Sequence, residues 1–229
     1  MLKRYSRNVS TLSVEESESL VQNRVCVIGC GGLGGYIIEM LGRLGVGHIT
    51  AIDGDVFEET NLNRQLLSDT ESLGMNKALK AKNRMKVVNP HIEVTAITEK
   101  LTEVNGREIL KGMDVVVDAL DSIETRLLLE ELCMELNIPM VHGAIAGWYG
   151  QVATILPGDK VLRNYYTGKD LVGAEKVYGN PSFTPALVAS IQVSEVVKLL
   201  IGRGDLLRRK MLFIDLYRQE YDTIDFDRG

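Results

Sequence analysis

Cysteine is scarce: Cys26, Cys30 and Cys133 are the three in 229 residues, and no Cys-x-x-Cys pair occurs. Three thiols cannot build a disulfide framework, and without paired cysteines the usual thiolate zinc site is excluded. Proline is rare, at 5 residues, and no repeat or low-complexity segment stands out, so a disordered or repetitive chain is excluded. No apolar run approaches the ~20 residues of a membrane-spanning helix. An excess of positive charge is missing too, since 26 Lys and Arg stand against 31 Asp and Glu. That balance argues against a nucleic-acid-binding surface as the main task. The N-terminal residues lack the apolar stretch of a secretory signal, so the expected location is the reducing cytoplasm.

What is present is enough chain for one large α/β domain spanning residues 1–229. Ser13-x-x-Glu16 has the spacing of a capping box and predicts a short helix to about residue 22. Residues 24–29 form a compact β-branched run that reads as a buried strand. Beyond it Leu33, Ile37, Met40, Leu41 and Leu44 recur at helical spacing, Gly45 and Gly47 stop the helix, and residues 48–53 read as a second strand. This is one βαβ unit, which implies a parallel sheet with a right-handed crossover. A Lys-rich helix over 75–88, strands over 92–97 and 114–118, a helix over 124–136 and a strand at 139–143 continue the alternation. In the 124–136 helix, Leu128, Leu129, Leu132 and Leu136 are expected inside and Glu130, Glu131 and Glu135 outside. A strand over 151–156 is expected to pair antiparallel, a helix to start at Pro185 and close at Gly202, and residues 211–226 to form a hairpin. Residues 157–184 carry the least pattern and read as a flexible excursion over one face.

The chemistry begins at Gly29-Cys-Gly31-Gly-Leu-Gly34, a G-x-G-x-x-G that follows a strand and opens a helix. Such glycines let the backbone approach phosphates, and the helix start offers unpaired N–H groups and a partial positive charge. Asp53 ends the next strand, where a carboxylate can accept from a ribose hydroxyl. That much fits NAD as well as ATP. Asn61-Leu-Asn-Arg64-Gln65, then Lys77, then Asp121 follow in order. Hydride transfer needs no cations converging on phosphates with a carboxylate for a metal, whereas nucleotidyl transfer builds charge on departing pyrophosphate. Cys26, Cys133 and His142 read as core residues. Cys30, at a helix start, sits where a thiol pKa can fall, but in a loop expected to face phosphate. Trp148 and Tyr149 could line a substrate path or simply pack.

With these residues on the page, the chain resembles the ThiF/MoeB family, relatives of ubiquitin-activating enzymes. Further matches are Arg4-Tyr5-Ser6-Arg7, Gly45-Val46-Gly47, Asp53-Gly-Asp55, Asn89-Pro90, Asp118, Arg126, Gly150-Gln151 and Gln192-x-x-Glu195-x-x-Lys198. The resemblance implies a Rossmann-like, mainly parallel sheet extended by antiparallel strands and flanked by helices, in a homodimer. It implies ATP-dependent, magnesium-assisted adenylation of the C-terminal glycine carboxylate of a ubiquitin-like sulfur-carrier protein. By the same resemblance Gly31, Gly32 and Gly34 cradle phosphate, Asp53 holds ribose, and Asn61, Arg64 and Lys77 contact the triphosphate. Asp121 is the magnesium-associated carboxylate, and Arg7 reaches into the neighbouring subunit's site. Ser122 stands where the family usually has Asn. The family's paired zinc cysteines are missing, with Arg163-Asn-Tyr-Tyr166 in place of the first pair, and no crossover cysteine is present for thioester transfer. No zinc is therefore expected. The rival readings are adenylation of a small-molecule carboxylate in cofactor biosynthesis, a non-catalytic partner subunit, and an NAD-dependent oxidoreductase.

Overall fold

The computed structural model describes residues 2–166 and 178–226. The eight strands among the described residues join one sheet in the order β3-β2-β1-β4-β5-β6-β7-β8. They are β1 (Arg24–Ile28), β2 (His48–Ile52), β3 (Glu93–Ile97), β4 (Val115–Asp118), β5 (Met140–Ala146), β6 (Tyr149–Ile155), β7 (Lys210–Asp215) and β8 (Glu220–Asp225). β1 to β5 pair in parallel, and β6, β7 and β8 continue the sheet antiparallel. The helices are α1 (Val14–Ser19), α2 (Gly32–Leu44), α3 (Lys77–Val88), α4 (Glu103–Leu110), α5 (Ile123–Glu135), α6 (Val161–Tyr165) and α7 (Phe183–Ile201). The α/β class and the antiparallel extension expected from the sequence are both found.

The sheet separates two apolar clusters. Val25 and Val27 of β1 join Ile37, Leu41 and Val188 on the α2–α7 side, while Cys26 and Ile28 join Leu129, Leu132 and Leu162 on the α5–α6 side. Alternate residues of one strand thus feed both cores, which explains why β1 and β4 read as unbroken apolar runs. The α2 helix ends at Gly45, whose φ of 97° is left-handed. A Cβ there would lie 2.7 Å from the Tyr5 ring, so glycine both turns the chain and seats the N-terminal residues.

Four sequence expectations need correction. The α4 helix was not foreseen: Thr102 and Asn105 cap it reciprocally without the usual Glu or Gln, and Gly106 interrupts its propensity. That glycine lets α4 approach α5, because a Cβ would meet Leu132 Cδ1 at 2.5 Å. Glu130 faces inward, not outward; its carboxylate accepts from Leu162 N at 2.8 Å and Arg163 N at 3.1 Å, capping the start of α6. Residues 157–166 are accordingly no loose excursion, with Val161 and Leu162 buried and the Asp159 carboxylate bound by Arg208 and Arg209. Of the rest of that expected excursion, 167–177 lie outside the described residues, while Phe183 and Thr184 already belong to α7, with Thr184 buried. Finally, α7 is long and apolar enough to cross a membrane by length and composition. Its inner face is nevertheless tied to the sheet: Gln192 donates to Asp118 O at 2.9 Å, and Glu195 accepts from Thr154 Oγ1 and Leu207 N.

The capping box at Ser13 and Glu16 forms as expected. The Glu16 carboxylate also pairs with Arg203, just beyond α7. The Arg203 guanidinium and the Ser13 N–H together lower the Glu16 pKa from its ordinary 4.5 to about 2. A depressed acid pKa contributes stability that is present above pH 4.5 and is lost as pH falls toward about 2. Arg203→Ala should return the Glu16 titration, followed by NMR, toward its ordinary range and flatten stability across that acid window. An unaltered Glu16 titration would refute the link.

Candidate functional site

The chain runs outward from β1 to β3, then returns to place β4 on the other side of β1. The crevice at this reversal is where parallel α/β sheets bind ligands. A cavity of about 450 Å³ opens there, beside the C-terminal ends of β1, β2 and β4 and the N-terminal ends of α2, α3 and α5. The first turns of these helices present N–H groups without intrahelical partners, a setting that favours anions.

Each wall is fixed by local bonding. Asp53 follows β2, and its carboxylate accepts from Cys30 N and Asp55 N, both at 2.8 Å. Burial pushes the Asp53 pKa up, against the opposing pull of those two N–H donors. Asn76 caps α3 by accepting from Leu79 N at 3.1 Å, and its amide donates to Asp53 O at 2.8 Å. Lys77 therefore opens α3 on the cavity wall, 9% exposed, with Nζ 3.8 Å from Asp55 Oδ2. Lys100 reaches the other oxygen of Asp55 at 3.0 Å, so one carboxylate stands between two ammonium groups. The Arg64 guanidinium is braced by Thr60 O and Asn63 Oδ1, both at 2.9 Å. Asp121 occupies the loop between β4 and α5, and Ser122 Oγ caps α5 by accepting from Thr125 N at 3.3 Å. That cap gives Ser122 a role in starting α5.

Gly31, Gly32, Asp53, Arg64, Lys77 and Asp121 all line the cavity. Gly34 and Asn61 do not line it. A Cβ on Gly34 would lie 1.8 Å from Gly29 O, so this glycine serves the contact between α2 and the loop, behind the cavity wall. Asn61 is buried; its Oδ1 accepts from Glu58 N, and its carbonyl accepts from Arg64 N and Gln65 N, which shapes the loop carrying Arg64. Arg7 is exposed at the opposite end of α2, next to Asn8, whose amide donates to Leu44 O. A helix of 13 residues is about 20 Å long. Arg7 therefore belongs to no wall of its own chain's cavity.

Cys30 also departs from expectation. Its sulfur is buried, 3.7 Å from Ile52 O, and burial pushes the thiol pKa well above its ordinary value, so the helix-start effect does not prevail and the side chain does not face the phosphate crevice. Burial likewise pushes Cys133 up to about 12. His142 is fully buried and bonds Asp118 through Nδ1 at 2.6 Å, in line with a core role. Trp148 packs against Phe183 and Tyr217, and Tyr149 against Tyr178, although both remain 45% exposed.

Among the wall residues without a role in the sequence reading are Gln65, Lys100, Arg126 and Asn180. Gln65 and Arg126 sit inside quoted motifs, so a signal existed. Lys100 and Asn180 arrive from loops with no motif of their own. Oxygen donors for a hard cation are present in Asp53, Asp55 and Asp121 on the same cavity. Among the described residues no group of three or more His, Cys, Asp or Glu side chains is placed to hold a metal.

The ThiF family profile matches residues 5–228. The chain belongs to the ThiF family. It is 36% identical over 242 residues to the sulfur carrier protein adenylyltransferase of Thermus thermophilus, covering 100% of this chain and 88% of that protein. It is 34% identical over 230 residues to the SAMP-activating enzyme E1 of Haloferax volcanii, covering 98% and 85%. Among solved structures, E. coli MccB with ATP superposes with a TM-score of 0.85 at 21% identity, over 99% of this chain and 72% of that one, a likeness of fold. Family and relatives make this ThiF-family chain an adenylyltransferase.

The two glycines separate fold from binding. Gly34→Ala forces a methyl onto a backbone oxygen and should cost several kcal/mol, on the order of severe overpacking or more. Gly32→Ala meets nothing closer than 3.8 Å and should keep its melting temperature while losing most of the ATP-induced rise. Thermal unfolding with and without ATP decides it; equal behaviour of the two variants would contradict this division.

Proposed function

We propose that this enzyme adenylates the C-terminal carboxylate of a ubiquitin-like sulfur-carrier protein, using magnesium-ATP. The observation that carries the reading is the convergence of Arg64, Lys77 and Asp121 on the glycine loop's cavity. The names of the Thermus and Haloferax relatives support a protein acceptor. A carboxylate oxygen attacks the α-phosphorus, the bond from that phosphorus to the bridging oxygen breaks, and pyrophosphate leaves with the electron pair. The nucleophile is already ionised, so little proton transfer is needed. The chain's work is to align the carboxylate with the α-phosphate and to neutralise the departing charge.

In this reading Gly31 and Gly32 let phosphate approach the start of α2, and Asp53 accepts from ribose with its remaining lone pairs. Arg64 and Lys77 meet the triphosphate. Asp121 is the carboxylate that would hold magnesium, an ion commonly bound through only one or two carboxylates. Magnesium would neutralise phosphate charge there. Arg7, remote from its own cavity, contributes across a homodimer. The exposed place of Arg7 at the far end of α2 supports that arrangement.

ATP–pyrophosphate exchange tests the function. A carrier ending in Gly-Gly should stimulate exchange and a panel of small acids should not; the reverse result would favour a small-molecule substrate. Arg64→Ala and Asp121→Ala should each lower exchange by about 10² or more, with folding retained. Mixing Arg7→Ala with Asp121→Ala subunits should restore part of the activity, because one of the two sites then has both residues. No restoration in a verified mixed dimer would remove Arg7 from the site.

A further inference from the structure

Behind the Asp121 loop, five side chains from five elements close a polar ring. Asp118 ends β4 and is fully buried; its Oδ1 accepts from Leu120 N at 2.9 Å, and its Oδ2 accepts from His142 Nδ1 at 2.6 Å. Burial pushes the His142 pKa down, so the imidazole is neutral, with its proton on Nδ1 toward the carboxylate. Nε2 is then an acceptor, and the Gln151 amide of β6 stands 3.3 Å from it. The same amide nitrogen donates to the Tyr166 hydroxyl at 2.8 Å, so its two hydrogens are both used. Arg126 Nη1 donates to that hydroxyl at 3.5 Å, and Arg126 Nε lies 3.7 Å from Asp118 Oδ2, which closes the ring.

One member faces the nucleotide cavity. Arg126 lines it, is 7% exposed, and also donates to Leu120 O in the segment leading to Asp121. Its Nε makes no hydrogen bond and meets Asp118 Oδ2 only at ion-pair distance, so the hydrogen bonds that direct the guanidinium are those to the Tyr166 hydroxyl and Leu120 O. Tyr166 is the residue that ends α6, the helix whose start is capped by Glu130. Replacing its hydroxyl would leave a buried cation short of an acceptor.

We propose that Tyr166 is a positioning residue for adenylation: through its hydroxyl, the end of α6 sets the place of Arg126 and of the loop carrying Asp121. This rests on the adenylation reading above. The ring links α6 to the wall that meets the nucleotide, and it does so without a ligand contact of its own, since Tyr166 does not line the cavity.

Tyr166→Phe keeps the ring's packing and deletes the one atom at issue. At saturating acceptor, kcat per folded molecule for pyrophosphate exchange should fall about tenfold, the cost of one unmade hydrogen bond to a charged group, while KM for ATP stays near wild type; the melting temperature falls as well, because Arg126 loses an acceptor. A merely structural role would lower the melting temperature and leave kcat per folded molecule unchanged, and that result overturns the proposal. Imidazole ¹⁵N spectra of His142 give a readout independent of turnover. Wild type should show protonated Nδ1 and an accepting Nε2, and Tyr166→Phe should move the Nε2 signal as Gln151 reorients. An Nε2 signal that does not move overturns the ring. A wild type that exchanges no pyrophosphate with any acceptor would overturn the adenylation reading and the catalytic part of this proposal with it, while the ¹⁵N result would still decide the ring.

Discussion

At Gly34 the first turn of α2 lies against the Gly29 carbonyl, at a separation that leaves no room for any side chain. The rest of the site depends on this contact. It fixes where the helix starts, and so where its unpaired N–H groups point. It also fixes the loop of Gly29 to Gly31, because the Cys30 N–H is thereby presented to the Asp53 carboxylate. Asp53 is in turn joined through its carbonyl to Asn76, the cap of α3, so the position of Lys77 follows from the same chain of contacts. Three elements distant in sequence are thus placed by one backbone approach and the hydrogen bonds around it.

The electrostatics follow a similar economy. A chain with net charge -5 gathers Arg64, Lys77, Lys100 and Arg126 on one cavity. Each of these cations has a fixed protein partner, such as Asp55 for the two lysines. Holding cations with anions and carbonyls spends part of their field but fixes their direction. In a crevice sheltered from water, a fixed donor costs no reorganisation when charge develops. The acidic balance of the whole chain therefore says little about its site; the partner is met by placed charges, not by a surface potential.

The strands and the glycine loop were legible because their signals are local. A β-branched run, a helical repeat or a G-x-G-x-x-G is read within a dozen residues. What escaped depends on contacts between distant elements. Glu130 looks like one more surface acid on a helix, and only the arrival of α6 above it gives its carboxylate two N–H donors. Asn61 and Gly34 lie within motifs that the resemblance assigned to phosphate, yet the Asn61 side chain is committed to its own loop and Gly34 to the contact of α2 with the Gly29 carbonyl. Motif membership marks a residue as needed; it does not tell whether the need is ligand or scaffold. Arg7 shows the converse, a motif residue that its own chain carries away from the cavity.

The buried polar groups around Asp118 invite a comparison of costs. A carboxylate, an imidazole and a guanidinium removed from water are each expensive, and apolar side chains of the same volume would often give a more stable core. Their retention in an otherwise ordinary core therefore calls for a gain other than stability. Their placement supplies one: the ring touches the Asp121 loop on one side and the end of α6 on the other, and α7 adds Gln192 on the Asp118 carbonyl. An apolar core would let these elements shift by the small amounts that van der Waals contacts tolerate. Directional bonds do not, because a buried group that loses its partner pays the full desolvation cost. The network thus converts stability into geometric definition at the wall of the site. For a reaction in which alignment does most of the work, that is where definition is most useful.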